Sequence, residues 1–188
     1  MYKFATDNYN ELNMNKAIET LSAAIRNVPD FPKKGIIFKD ITTLLMDKDL
    51  LKTAADLLTE KYQGKGITKV VGIESRGFVL GGILAYNLGA GFVLLRKPGK
   101  LPADTYSIEY QLEYGTDKLE IHKDSVTTDD VVLLHDDLLA TGGSAEAAAM
   151  LINKMNPKSL EVNFLIELEF LKGRERLSFA NVESLLKF

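Results

Sequence analysis

The chain has 188 residues, 46% of them apolar and 26% charged, which against ~150 residues per domain is the size and mix of one globular domain with modest elaboration. A net charge of −3 gives no overall basic field for nucleic acid, and the absence of cysteine excludes a disulfide framework, a thiolate zinc site and a cysteine nucleophile. No apolar run approaches the ~20 residues of a membrane span and residues 1–8 lack a signal-like apolar stretch, so the expectation is a cytoplasmic protein with neither membrane nor nucleic-acid partners.

In chain order, residues 1–14 are polar and aperiodic and read as a loose N-terminal arm, leaving 15–188 as a single domain. Ala17, Ile18, Leu21, Ala24, Ile25 and Val28 recur at helical spacing, with Pro29 as the stop. Leu51, Ala54, Ala55, Leu58 and Tyr62 repeat the pattern until Gly64 and Gly66. Val70–Ile73 is a short apolar strand, followed by polar Glu74-Ser75-Arg76 and a helix from about Gly77 to Leu88. Phe92–Leu95 and Val131–Leu134 are further buried strands. The second leads through Asp136-Asp137-Leu138-Leu139-Ala140-Thr141-Gly142-Gly143-Ser144 into a helix reaching Met155, and Val162–Ile166 is a fourth strand. Short apolar strands alternating with helices imply an α/β fold, a doubly wound and mainly parallel sheet with helices on both faces. Tyr106, Ile108, Tyr110, Leu112 and Tyr114 instead alternate with polar residues, as an inserted β-ribbon would, and such an excursion is a candidate lid.

In open α/β sheets ligands bind at the carboxyl ends of the strands, and two polar loops leave strand ends here. Thr141-Gly142-Gly143-Ser144 offers backbone N–H groups and hydroxyls at a helix start, which suits a phosphate. Asp136 and Asp137 would repel a polyphosphate but accept ribose hydroxyls, hold Mg²⁺, or favour positive charge developing on a sugar. The combination reads as a site for a phosphorylated ribose; the bland alternative is a capped turn with two glycines. A P-loop and a dinucleotide fingerprint are both absent. A serine hydrolase at Ser75 fails because Ile73 stands where the nucleophile elbow needs glycine, and no histidine follows the aspartates.

The segment 131–144 resembles the phosphoribosyl pyrophosphate signature of type I phosphoribosyltransferases. Five further segments agree, in order, with that family's adenine-using branch: 30–41, Gly72-Ile73-Glu74-Ser75-Arg76-Gly77-Phe78, Arg96-Lys97-Pro98-Gly99-Lys100-Leu101-Pro102, Leu112-Glu113-Tyr114-Gly115, and Leu171-Lys172-Gly173-Arg174-Glu175. The resemblance covers residues from about 16 to 188. It implies purine salvage: adenine and 5-phosphoribosyl 1-pyrophosphate give AMP and pyrophosphate, with Mg²⁺ and through an oxocarbenium-like transition state. It assigns the 5′-phosphate to Ala140, Thr141, Gly142, Gly143 and Ser144, and the ribose to Asp136 and Asp137, as the residues themselves suggest. Pyrophosphate would fall to Glu74, Ser75 and Arg76, across a Glu74–Ser75 bond that is cis in the family, and to Arg96, Lys97 and Lys100, which in relatives lie near a homodimer interface. Adenine would be read by backbone groups of Ile37 and Lys39 between Phe38 and Leu138. Glu113 would be the general base and Tyr114 part of the mobile lid; by periodicity alone Glu113 is a solvated strand carboxylate.

Three positions depart from the family pattern: Lys39 stands where many relatives have Arg, Ser144 where Thr is commoner, and His135 where the residue is usually aliphatic. A lone histidine at a strand end reads as structural. The rivals are a hypoxanthine or xanthine transferase and a non-catalytic phosphoribosyl-binding regulator, although no helix-turn-helix or basic face is evident. The glycine turn also carries an expectation for mutation: Gly142→Val should abolish AMP binding and shift thermal stability by only a few degrees.

Overall fold

Strands buried on both faces are predominantly apolar, and four such runs lie in the main sheet of this protein. The computed structural model describes residues 2–31, 33–111 and 115–188. Its elements are α1 (Tyr2–Ala24), β1 (Arg26–Pro29), β2 (Ile37–Asp40), α2 (Thr42–Met46), α3 (Lys48–Glu60), β3 (Lys69–Ile73), α4 (Gly77–Leu88), β4 (Gly91–Leu95), β5 (Thr105–Gln111), β6 (Thr116–His122), β7 (Val131–Leu139), α5 (Gly143–Asn153), β8 (Ser159–Glu167) and β9 (Asn181–Lys187). Short 3-10 turns at Glu169–Leu171 and Gly173–Leu177 join β8 to β9. The chain forms two compact units that divide at Leu57/Leu58, inside α3 and away from any Gly- or Pro-rich linker.

In the first unit α1 starts at Tyr2, so residues 2–14, expected as a loose arm, continue the helix. That stretch has no Gly or Pro to break a helix and no apolar stripe to announce one. The helix also ends sooner than the spacing of Ile25 and Val28 suggests. Arg26–Pro29 is instead a strand, antiparallel to β2 in the register Val28↔Phe38, and Pro29, which has no N–H, closes it at an edge. Asp40 accepts the Thr42 N–H at 2.9 Å and the Arg26 guanidinium at 2.5 and 3.0 Å. Those bonds hold its carboxyl down at about 2. Thr43 Oγ1 donates to the Ala24 carbonyl at 2.6 Å, tying α2 to the end of α1.

The second unit is built on a five-stranded parallel sheet of order β4-β3-β7-β8-β9. Successive residues of a strand face opposite sides, and β7 shows which side each helix covers. Val132 and Leu134 belong to a core cluster with Ala145, Ala148, Ala149 and Ile152 of α5, whereas His135 lies against Gly81 of α4. The sheet is therefore doubly wound, as expected. Two strands are longer than the apolar runs: β7 continues through Asp136 and Asp137 to Leu139, and β8 spans Ser159–Glu167. The aspartates, expected in a loop, pair with β8 as strand residues in the register Asp136↔Phe164 and Leu138↔Ile166. Their polarity hid the strand; the burial of Asp137 is compensated by a partner described below.

The expected ribbon is the antiparallel pair β5–β6, in the register Tyr106↔Ile121 and Tyr110↔Asp117. Tyr106, Ile108 and Tyr110 pack against the core cluster, while Ser107 and Glu109 are exposed. Among the described residues no helix is long and apolar enough to cross a membrane.

Candidate active site

The strand order fixes where a ligand can enter. From β3 the chain crosses to β4 on one side, and β7 then returns on the other side of β3, so the order reverses between β3 and β7. Crevices of open α/β sheets form at that reversal, beyond the carboxyl ends of the strands. The two polar loops singled out in the sequence leave β3 and β7 there, side by side.

The loop after β3 begins with a cis peptide bond between Glu74 and Ser75, as the family resemblance implies. Arg76 follows, and its Nε stands 2.6 Å from Asp137 Oδ2, bridging that loop to the end of β7. The Asp137 side chain is only 5% exposed against 47% for Arg76, so a buried carboxylate is matched by a guanidinium that still reaches solvent. Asp136 Oδ1 accepts the Asp137 N–H at 2.9 Å. Burial, and then the neighbouring Asp137 carboxylate, push the Asp136 carboxyl well above the usual aspartate range.

Beyond β7 the chain turns through Ala140–Gly142 into α5. Gly142 has φ +84°, a left-handed conformation that a β-branched residue resists. The first intrahelical bond runs from Glu146 N–H to the Gly142 carbonyl at 2.8 Å, so the N–H groups of Gly143, Ser144 and Ala145 precede it at the positive end of the helix dipole. Ser144 Oγ donates to Tyr110 Oη at 3.3 Å, fastening the ribbon to this first turn.

The basic turn after β4 is drawn onto the loop after β3. Glu74 Oε2 accepts the Lys97 N–H at 2.8 Å and Arg96 Nε at 3.2 Å, and Arg96 Nη1 donates to the Lys100 carbonyl at 3.4 Å. Burial would raise the Glu74 carboxyl, but the Lys97 N–H and the Arg96 guanidinium hold it below the ordinary value. Lys97 Nζ pairs with Asp117 of β6 at 3.2 Å.

The remaining expected residues are placed as follows. Ile37, Phe38 and Lys39 lie on β2 of the first unit, Ile37 58% exposed, and Leu138 lies on β7 of the second. Glu113 and Tyr114 lie outside the described residues. His135 is fully buried, its Nδ1 bonded to Asn163 Oδ1 across the β7–β8 register, and burial holds its imidazole below the usual histidine range. That agrees with a structural reading. Sequence reasoning missed Tyr110, visible in the ribbon's alternation only as an apolar residue, and Gly173, whose backbone lies against the 140–142 turn. A Cβ on Gly142 would stand 2.5 Å from the Gly173 carbonyl oxygen. The expectation that Gly142→Val would spare stability is therefore overturned, because the new side chain meets backbone that cannot swing aside.

Comparison with known proteins follows the same lines. A family model described as phosphoribosyl transferase domain matches residues 40–178. The adenine phosphoribosyltransferase of Citrifermentans bemidjiense is 57% identical over 171 residues, 91% of this chain and all of that protein. The crystal structure of adenine phosphoribosyltransferase from Rhodothermus marinus superposes with a TM-score of 0.87 at 52% identity, covering 93% of this chain and 99% of that one. The corresponding enzyme of Giardia lamblia, solved with 9-deazaadenine, gives a TM-score of 0.87 at 43% identity, over 91% of this chain and 97% of that one.

Proposed function

This chain belongs to the adenine phosphoribosyltransferases of the phosphoribosyl transferase family, and from that premise we propose how its residues join adenine to 5-phosphoribosyl 1-pyrophosphate to release AMP and pyrophosphate in purine salvage. The observation that carries the reading is the Arg76–Asp137 bridge across the strand reversal. The bridge supports the reading because it sets a cation suited to a departing pyrophosphate beside an anion suited to positive charge developing on a sugar.

The 5′-phosphate is received by the turn Ala140-Thr141-Gly142-Gly143-Ser144, supported by the helix-start N–H groups and the two hydroxyls. Asp136 and Asp137 accept the ribose hydroxyls. As the bond from the anomeric carbon to pyrophosphate lengthens, the Asp137 carboxylate favours the oxocarbenium-like carbon, and preorganised charge of this kind needs no reorganisation at the moment of reaction. The leaving oxygens are taken by Arg76 and the Glu74-Ser75 loop, with Arg96, Lys97 and Lys100 behind it. Glu74, by gripping Arg96 and the Lys97 N–H, keeps that basic turn close to the loop.

Adenine, in this reading, is recognised by backbone groups of Ile37 and Lys39 with Phe38 and Leu138 as flat apolar walls. A backbone donor–acceptor pair suits adenine but mismatches a 6-oxo purine. Glu113 takes the ring proton that adenine sheds as its other imidazole nitrogen attacks, and Tyr114 closes with it as part of the lid. In the cytoplasm the enzyme works as a homodimer.

Magnesium fits the residues present. Among the described residues no group of three acidic or histidine side chains gathers as a protein cage, but Mg²⁺ needs only one or two carboxylates when substrate phosphates and water complete its shell. Asp136 and Asp137 are the hard oxygen donors at hand, and the metal when bound would supply charge neutralisation on the pyrophosphate oxygens. The reading is tested by running the reaction backwards. AMP with pyrophosphate and Mg²⁺ should release free adenine, and adenosine with pyrophosphate should release none. Failure with AMP, or equal release from adenosine, would refute it.

A further inference from the structure

The segment Leu171–Glu175 contributes no group to the chemistry above, yet the 140–142 turn rests on it. A Cβ on Gly142 would stand 2.5 Å from the Gly173 carbonyl oxygen. In return, a Cβ on Gly173 would stand 2.2 Å from the Ala140 carbonyl oxygen and 2.9 Å from the Gly142 nitrogen. Real Cβ atoms do not approach so closely, so the space between the two backbones admits only two glycines.

The neighbouring residue locks that approach. Arg174 Nε and Nη2 donate to Glu167 Oε1 and Oε2 at 3.0 and 2.6 Å, and Arg174 Nη1 donates to the Val182 carbonyl of β9. Ser184 Oγ donates to Glu167 Oε2 at 2.7 Å, so a carboxylate whose side chain is 5% exposed is satisfied on both oxygens. A planar two-point fork fixes orientation as well as distance. Glu167 ends β8 opposite Leu139, the last residue of β7 before the turn, and the Leu168 N–H donates to the Leu139 carbonyl at 2.9 Å. The path is closed: the end of β7, the 140–142 turn, Gly173, Arg174, Glu167, and back to the end of β7.

We infer that Gly173 and Arg174 are positioning residues for the 5′-phosphate, holding the backbone of the 140–142 turn at the height the phosphate requires without touching the substrate. The inference rests on the reading of 140–144 as the phosphate cradle. It differs from a purely structural role in one respect: loosening the clip should weaken recognition of the phosphate and not of the nucleoside.

The test compares AMP with adenosine by titration calorimetry on wild type, Arg174→Lys and Gly173→Ala, each first shown to be folded by circular dichroism. Arg174→Lys keeps the charge and adds no atom near the turn, but loses the fork. Wild type should prefer AMP by about a hundredfold or more, given several charge-assisted bonds to one phosphate. In Arg174→Lys that preference should fall about tenfold, with adenosine affinity within about twofold of wild type, and Gly173→Ala should lose more. An unchanged preference in folded Arg174→Lys would overturn the inference, as would equal losses for both ligands. A wild type with no preference for AMP would overturn the cradle reading itself. If Gly173→Ala does not fold, Arg174→Lys decides alone.

Discussion

Arg76 Nε stands 2.6 Å from Asp137 Oδ2, joining the loop after β3 to the end of β7 across the point where strand order reverses. The carboxylate is buried and the guanidinium half exposed. An incoming anion therefore meets the cation first.

Asp137→Asn removes the charge while keeping size and hydrogen-bonding capacity. An interaction made chiefly in the transition state shows itself in kcat rather than KM. The expected result is a kcat lower by ~10²-fold, the scale for losing one preorganised electrostatic group, with KM for the phosphoribosyl substrate within a fewfold. Steady-state kinetics check it, and an unchanged kcat would place the stabilising charge elsewhere.

Gly142→Val should damage the fold as well as the site. At φ +84° a non-glycine residue costs roughly 1–3 kcal/mol, and the new Cβ would also meet the Gly173 carbonyl. We expect a loss of at least ~2 kcal/mol in denaturant unfolding together with loss of AMP binding. Unchanged unfolding would show that the two backbones can move apart freely.

Asp136 makes a prediction about pH. Its folded-state pKa lies above the unfolded value because of burial and the Asp137 charge, so the native state binds the proton more tightly than the unfolded chain. The cost to stability is small below the ordinary aspartate range, about pH 4, and grows as pH rises through the raised folded value. Asp136→Asn, whose side-chain oxygen can still accept the Asp137 N–H, should therefore raise the unfolding midpoint at pH 7–8 and alter it little at pH 4. Under the proposed ribose contact it should also lower kcat/KM. Equal effects at both pH values would contradict the assigned cause.

Much of this architecture is legible in the sequence because parallel strands advertise themselves. Val70–Ile73, Phe92–Leu95 and Val131–Leu134 carry no polar side chain, Val162–Ile166 carries only Asn163, and each is strand in the structure. The ribbon is equally plain, since Tyr106, Ile108 and Tyr110 cover a core while Ser107 and Glu109 face solvent. What was hidden has physical reasons. β1 and β9 are edge strands carrying Arg26, Asn27, Asn181 and Glu183, so no apolar run marks them. Asp137 is tolerated in β7 because the burial of its charge is compensated by Arg76, a partner sixty-one positions away in sequence. The meeting of Gly142 with Gly173 leaves no sequence signal beyond the two glycines, because backbone packing between distant segments has no period.

Glu113 carries the proton transfer in the proposed mechanism, and Glu109, exposed on the described ribbon, is its natural control. Loss of a general base typically costs ~10²–10⁴ in rate. Glu113→Leu should lower kcat by that order and leave binding of phosphoribosyl pyrophosphate near normal, while Glu109→Leu should change neither. Equal losses in both variants would point to the charge or stability of the ribbon instead of a specific base.

Base selectivity bears most directly on whether this chain transfers a phosphoribosyl group to adenine. Purified protein with phosphoribosyl pyrophosphate and Mg²⁺ is given adenine, hypoxanthine, guanine or xanthine, and pyrophosphate release is followed for each. Release should be rapid with adenine, with AMP as the product, and slight with the three 6-oxo purines. Silence with all four bases, or faster release with any 6-oxo purine than with adenine, would contradict transfer to adenine.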